Sequence, residues 1–169
     1  GLDHYVSIPV IFSWSSKLIG VLQALHNIAF SGPSPLDRDP IAAGEKSLSA
    51  DPRGAPAARV FKTSADPYVG RLTYMRVVTG VVKGDSHLWN ANREADERLG
   101  TIYVQRGKEQ TATPELQAGD IGVVAKLAHT ETGDTLCAKE LGARFEPIQF
   151  PSPVFSMAVH PTSKGAVDK

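Results

Sequence analysis

Apolar positions change rhythm along the chain. Tyr5, Val6, Ile8, Val10, Ile11 and Phe12 form a nearly continuous apolar run rich in β-branched and aromatic residues. That composition predicts a strand buried on both faces. After a polar stretch at 13–17, Leu18, Val21, Leu22, Leu25, Ile28 and Ala29 recur at helical spacing and predict a helix with one apolar stripe. Gly32-Pro33-Ser34-Pro35 stops it, because glycine suits a left-handed cap and proline lacks the amide that would continue the ladder. One strand and one helix cannot bury themselves, so this unit reads as the end of an α/β domain. Residues 37–56 are Ala, Gly, Pro, Ser and charged side chains without periodicity, which predicts a linker or an irregular surface loop.

Beyond residue 56 the period becomes that of short strands broken by turns. The segments 58–62, 71–78, 87–89, 100–105 and 121–127 predict an antiparallel barrel or sandwich. In the last of these, Ile121, Val123, Ala125 and Leu127 fall on one face, opposite Gly122, Val124 and Lys126, as in a half-buried strand. In 71–78, Leu72, Tyr74 and Val78 share a face with Arg76 while Met75 and Val77 occupy the other, so both sides are expected to meet neighbours. Gly84-Asp85, Gly119-Asp120 and Gly133-Asp134 each precede a strand-like segment. Glycine supplies positive φ and the aspartate accepts from a nearby amide, so these read as turns rather than as a metal or acid/base trio. A final strand is expected over 154–160, after Phe150-Pro151-Ser152-Pro153, and the charged tail 164–169 is expected to carry no fold of its own.

Fifteen glycines and twelve prolines agree with a turn-rich chain of 169 residues, enough for one ordinary domain with appendages. Eighteen basic residues balance eighteen acidic ones. That opposes a basic nucleic-acid arm or a polybasic membrane patch but leaves room for a few grouped cations. The single cysteine, Cys137, rules out a disulfide framework and a multi-thiolate zinc site. Lying in an apolar stretch without an adjacent base, it reads as a small buried hydrophobe. No apolar run approaches the roughly 20 residues that cross a bilayer. A cytoplasmic, membrane-free monomer is expected. The chain opens on Gly1-Leu2-Asp3, which fits a piece of a longer polypeptide.

Catalytic signatures do not emerge. The nearest approach to a phosphate loop, Gly100 to Gly107-Lys108-Glu109, is too long and puts Glu109 where a hydroxyl should hold magnesium. Asp51-Pro52-Arg53-Gly54 matches D-x-x-G but lies in the Pro/Ala/Gly stretch rather than after a strand. No Asn-Lys-x-Asp, G-x-S-x-G or H-E-x-x-H occurs, and the five histidines are scattered singly. The chain shows no self-sufficient catalytic site.

Several motifs in colinear order nevertheless belong together. Phe61-Lys62 and 66–77 (DPYVGRLTYMRV) resemble the opening of domain II of elongation factor G. Ala118-Gly119-Asp120-Ile121 and Thr132-Gly133-Asp134-Thr135-Leu136-Cys137 match two later signatures of that domain. Phe150-Pro151-Ser152-Pro153-Val154 and Ala158-Val159-His160-Pro161 resemble the start of domain III. Pro9-Val10 with Gly20-Val21, then Pro33-Ser34-Pro35-Leu36-Asp37, resemble the end of the GTPase domain and its exit linker. The resemblance implies a mainly β fold: a translation-factor-type antiparallel β-barrel preceded by a strand–helix remnant of an α/β GTPase domain. It divides the chain into 1–32 (end of the GTPase domain), 33–56 (linker), 57–146 (barrel) and 147–169 (start of domain III).

Functionally the resemblance implies a ribosome-associated translational GTPase whose barrel docks on small-subunit rRNA. No cofactor is then expected in this chain, GTP and magnesium being bound elsewhere in the parent protein. The family's Gly-Ser-Ala base loop is replaced here by Ser13-Trp14-Ser15, a degenerate candidate for nucleotide contact. Residues 103–110 and 85–90 are similar to divergent elongation-factor-G-like paralogues. Arg93, Arg98, Arg106 and Lys108, interleaved with acids in or beside loops, are the candidate RNA contacts. An autonomous, non-catalytic barrel that binds protein or RNA is the alternative.

Overall fold

A computed structural model describes residues 12–32, 34–66, 68–107, 109–158 and 160. The expected first strand, save Phe12, lies outside these residues, as do Lys108 and the charged tail. The chain divides into two compact units, Gly1–Asp39 and Pro40–Lys169.

In the first unit, the helical spacing produces α1 (Val21–Ser31). Gly32 ends it by donating its amide to the Ile28 carbonyl, at 3.3 Å. Its backbone is extended rather than left-handed as the sequence suggested. The proline that follows disfavours helical geometry at the residue before it and pushes that residue extended. Ser34 and Asp37 then close a capping box around the short 3-10 turn Pro35–Asp37.

The second unit runs through β1 (Ile41–Ala43), β2 (Lys46–Leu48), β3 (Ala57–Asp66), β4 (Gly70–Thr79), β5 (Val81–Lys83), β6 (His87–Asn90), β7 (Ala95–Arg98), β8 (Ile102–Arg106), β9 (Glu109–Thr113), β10 (Glu115–Gln117), β11 (Ile121–Ala125) and β12 (Thr135–Cys137). The large sheet is antiparallel, in the order β7-β6-β12-β3-β4-β11-β8-β9, and β5 pairs with β10. One core draws on strands from across this order: Val60, Met75, Leu88, Ile102, Val124 and Leu136 all belong to it. A sheet whose distant strands fill one interior has curled on itself. The fold is the expected β-barrel.

Three expectations change. Residues 41–48 are a hairpin rather than an irregular linker, and Ala43 is buried against Ala57, Val78, Cys137 and Phe145 in a second, smaller core outside the barrel. Alternation is unreadable in strands of three residues, which is why the sequence hid it. Next, β11 is buried on both faces rather than half-buried, with Val123 as well as Val124 out of solvent. Val124 enters the main core while Ile121 stays 52% exposed. Gly122 points inward beneath Leu116, whose Cδ1 would lie 2.1 Å from any added Cβ. Lys126 then adopts φ 60, breaking the alternation so that Leu127 also turns into the core. Finally, 154–158 form no strand and Val154 is fully exposed, because no neighbouring strand pairs with them among the described residues. As expected, β4 is buried on both sides, with Met75 and Val77 in the main core and Val78 in the smaller one.

Candidate functional site

The Ser13-Trp14-Ser15 loop is built by backbone pairing. The Trp14 amide donates to the Ile19 carbonyl at 2.8 Å, and Ile19 and Lys17 donate back to the Trp14 carbonyl, each at 3.2 Å. This wraps the 3-10 turn Ser15–Lys17 tightly. Gly20 leaves the turn at φ 69, where a Cβ would meet the Phe12 carbonyl oxygen at 2.2 Å. The Trp14 ring is half exposed, and the Lys17 ammonium rests 4.6 Å from its centre. A cation held on an indole is a stable surface pair. The loop thus presents an aromatic plate between two serines.

The described candidate cations, Arg93, Arg98 and Arg106, stand at separate places along the sheet. Arg93 lies in the turn between β6 and β7, and its guanidinium is occupied: Nε donates to Asp134 at 3.3 Å and Nη2 to Glu131. The hydrogen bond and charge of Asp134, with the charge of Glu131, hold its pKa above the usual arginine value. Arg98 stands at the other end of β7 opposite His87, which bonds Asp96 at 2.5 Å. Arg106 ends β8 opposite Glu109. Lys108 lies outside the described residues.

Arg93 belongs instead to a polar clasp. The buried Asn90 donates to Thr130 (3.2 Å) and Asp134 (3.0 Å), and its oxygen accepts from the amides of Asn92 and Arg93. Beside it, the buried Glu97 accepts from the amides of Ala128 (3.0 Å) and His129 (2.7 Å) and from the Thr130 hydroxyl (2.7 Å). These bonds pin the loop between β11 and β12 onto the β6–β7 hairpin.

The Gly-Asp turns behave largely as read. Asp120 and Asp134 accept turn amides, from Gln117 at 2.8 Å and Glu131 at 2.9 Å, behind Gly119 and Gly133 at φ 100 and 98. In the first pair the aspartate itself, Asp85, takes the positive φ. Cys137 is buried, with Sγ donating to the Ala143 carbonyl at 3.5 Å, and burial pushes its thiol pKa up. It is a packing residue.

This barrel, with its colinear motifs, matches the family described as Elongation factor G domain 2 over residues 55–139. The chain belongs to the elongation factor G family. It is 37% identical over 167 residues to elongation factor G of Chlamydia trachomatis serovar D (strain ATCC VR-885 / DSM 19411 / UW-3/Cx). Identity to the protein of serovar A (strain ATCC VR-571B / DSM 19440 / HAR-13) is the same. In both cases the match takes in 95% of this chain and 24% of the relative. The chain therefore spans about a quarter of the length of the elongation factor G proteins it matches. Among the described residues, no helix is long and apolar enough to cross a membrane.

Proposed function

We propose that this chain supplies the docking barrel of a ribosome-associated translational GTPase. The barrel rests on small-subunit rRNA, and GTP and magnesium are bound and GTP hydrolysed by residues outside this chain. The observation that carries this reading is the match to elongation factor G over 95% of this chain, with the domain 2 family matched over residues 55–139. Residues 1–32 are then the end of the GTPase domain and 147–169 the start of domain III. The protein acts in the cytoplasm as a monomer. Within the family, the divergent segments 85–90 and 103–110 and the Trp14 plate favour a paralogue over the housekeeping translocase. Docking by shape and a few cations suits a chain of balanced charge.

Cosedimentation of the purified chain with small ribosomal subunits, with salt varied, tests this. Saturable binding that weakens as salt rises is the expected result. Absence of binding at low salt would leave only the autonomous-module reading.

A further inference from the structure

The register of the large sheet sets cation against cation. Arg59 on β3 stands directly opposite Arg76 on β4, and Lys62 stands opposite Tyr74. Val60 and Met75 point into the core, so by alternation Arg59, Tyr74 and Arg76 point outward. A register shift between Val60 and Lys62 brings both Phe61 and Lys62 to that same side. The Phe61 and Tyr74 ring centres lie 6.4 Å apart, and the Lys62 ammonium is 5.1 Å from the Tyr74 ring. Beyond β4, Ile121 is paired with Arg76, and Val123 is paired with both Tyr74 and Tyr103. None of these outward positions is acidic.

Like charges facing each other across an antiparallel pair destabilise it. Among the described residues, no carboxylate lies within 4.0 Å of Arg59, Lys62 or Arg76. Arg59 donates Nη2 to the Glu146 carbonyl at 2.8 Å, while its buried Nε has no hydrogen-bond partner. The chain holds as many acids as bases and places none here. Elsewhere it does otherwise, giving Arg93 two carboxylates and Arg106 a facing glutamate.

We infer that this outward face of β3, β4 and β11 is where the barrel meets RNA. Arg59, Lys62 and Arg76 take phosphates, and the exposed parts of Phe61 and Ile121 take the apolar faces of ribose or base. The inference rests on the docking reading and names its surface. Phosphate relieves the arginine–arginine opposition, and the planar guanidinium matches its oxygens two at a time. Aromatic and apolar side chains beside cations suit nucleotides better than an acidic peptide, which offers charge without flat rings. Zero net charge confines polyanion attraction to such a patch.

The test uses the whole chain with two probes, intact small subunits and small-subunit rRNA stripped of protein. K62Q/R76Q leaves the Arg59–Glu146 bond in place and is expected to bind both probes about tenfold or more weakly, with a logarithmic salt slope lower by about one to two. The charge-matched control K83Q/K139Q, away from the face, is expected to stay within about twofold of the unaltered chain. R76E, which sets a carboxylate opposite Arg59, is expected to unfold no earlier than the unaltered chain yet to lose binding. That combination excludes misfolding as the cause. Unchanged affinity and slope in K62Q/R76Q would overturn the face while leaving docking intact. Loss on subunits without any change of salt slope, and no binding to stripped rRNA, would assign the face to a protein contact and overturn the RNA inference. Binding of the unaltered chain to stripped rRNA alone, lost in K62Q/R76Q, would keep the face and remove the docking reading. Binding to neither probe would remove both.

Discussion

Glu97 is buried and, among the described residues, has no cation at its carboxylate; two amides and a hydroxyl from residues 128–130 satisfy it instead. Replacing it with alanine removes the acceptor of three donors, the buried Thr130 hydroxyl and the part-buried Ala128 and His129 amides. Each unsatisfied buried group costs about 1–3 kcal/mol, so E97A is expected to lower unfolding stability by about 3 kcal/mol or more. E97Q keeps one acceptor oxygen and is expected to cost less, about 1–2 kcal/mol. Urea unfolding followed by fluorescence gives both values. An E97A loss under about 1 kcal/mol would mean the β11–β12 loop is held by Asn90 and Asp134 alone. A signal for this residue was present in the sequence. Ala95, Glu97 and Leu99 alternate on one face, and Leu88, the register partner of Glu97, belongs to the core. A glutamate in an inward row needs a reason. Within the run Arg93-Glu94-Ala95-Asp96-Glu97-Arg98 it passed for one more surface charge.

At the scale of elements, the ten-residue strands β3 and β4 and the shorter β6, β8 and β11 were readable, while β1, β2, β5, β7, β9 and β10 were not. The alternation in β4 predicted two buried faces because apolar side chains of both parities are present in it. In β11, alternation suggested one buried face, but both are buried: Gly122 contributes no side chain to the inward row, and the left-handed Lys126 ends the alternation. The inward glycine makes room for Leu116, and this contact can be weighed. G122A is expected to cost about 1–3 kcal/mol by overpacking, and L116A about 2–5 kcal/mol by leaving a cavity. In the double variant the alanine methyl occupies space the leucine vacated, so the combined loss is expected to fall short of the sum. A double-mutant cycle from thermal or urea unfolding measures that difference, and strict additivity would show that the two residues do not share the space. The arginine pair was illegible for a different reason. Arg59 and Arg76 are separated by the whole β3–β4 turn, and only register reveals that they face each other.

For the molecule as a whole, the two units make different claims on stability. The apolar stripe of α1 is largely exposed, with Leu22 at 81% and Ile28 at 71%. Deleting residues 1–39 is therefore expected to leave the main cooperative unfolding transition in place. Extending the deletion through residue 49 removes β1 and β2 and uncovers the smaller core around Val78, Cys137 and Phe145. That longer deletion is expected to lower the melting temperature by several degrees and to let a thiol reagent reach Cys137 without global unfolding. In the full chain, burial and the raised thiol pKa keep the same reagent waiting for unfolding. Equal Cys137 labelling in both deletions would mean the hairpin does not shield it.

The position of β12 has a consequence in time. This three-residue strand lies between β6 and β3, yet it is among the last parts of the barrel to be synthesised. Until Thr135 to Cys137 emerge, a nascent chain can close the β3–β4 hairpin and add β11 and β8, but one edge of β3 and one edge of β6 stay unpaired. Loops of tens of residues must close at once when the strand arrives, which places such topologies among the slower folders. Through that interval the growing polypeptide exposes two bare strand edges, the surfaces most prone to join a neighbouring chain. Birth, rather than maturity, is the barrel's period of greatest exposure to aggregation.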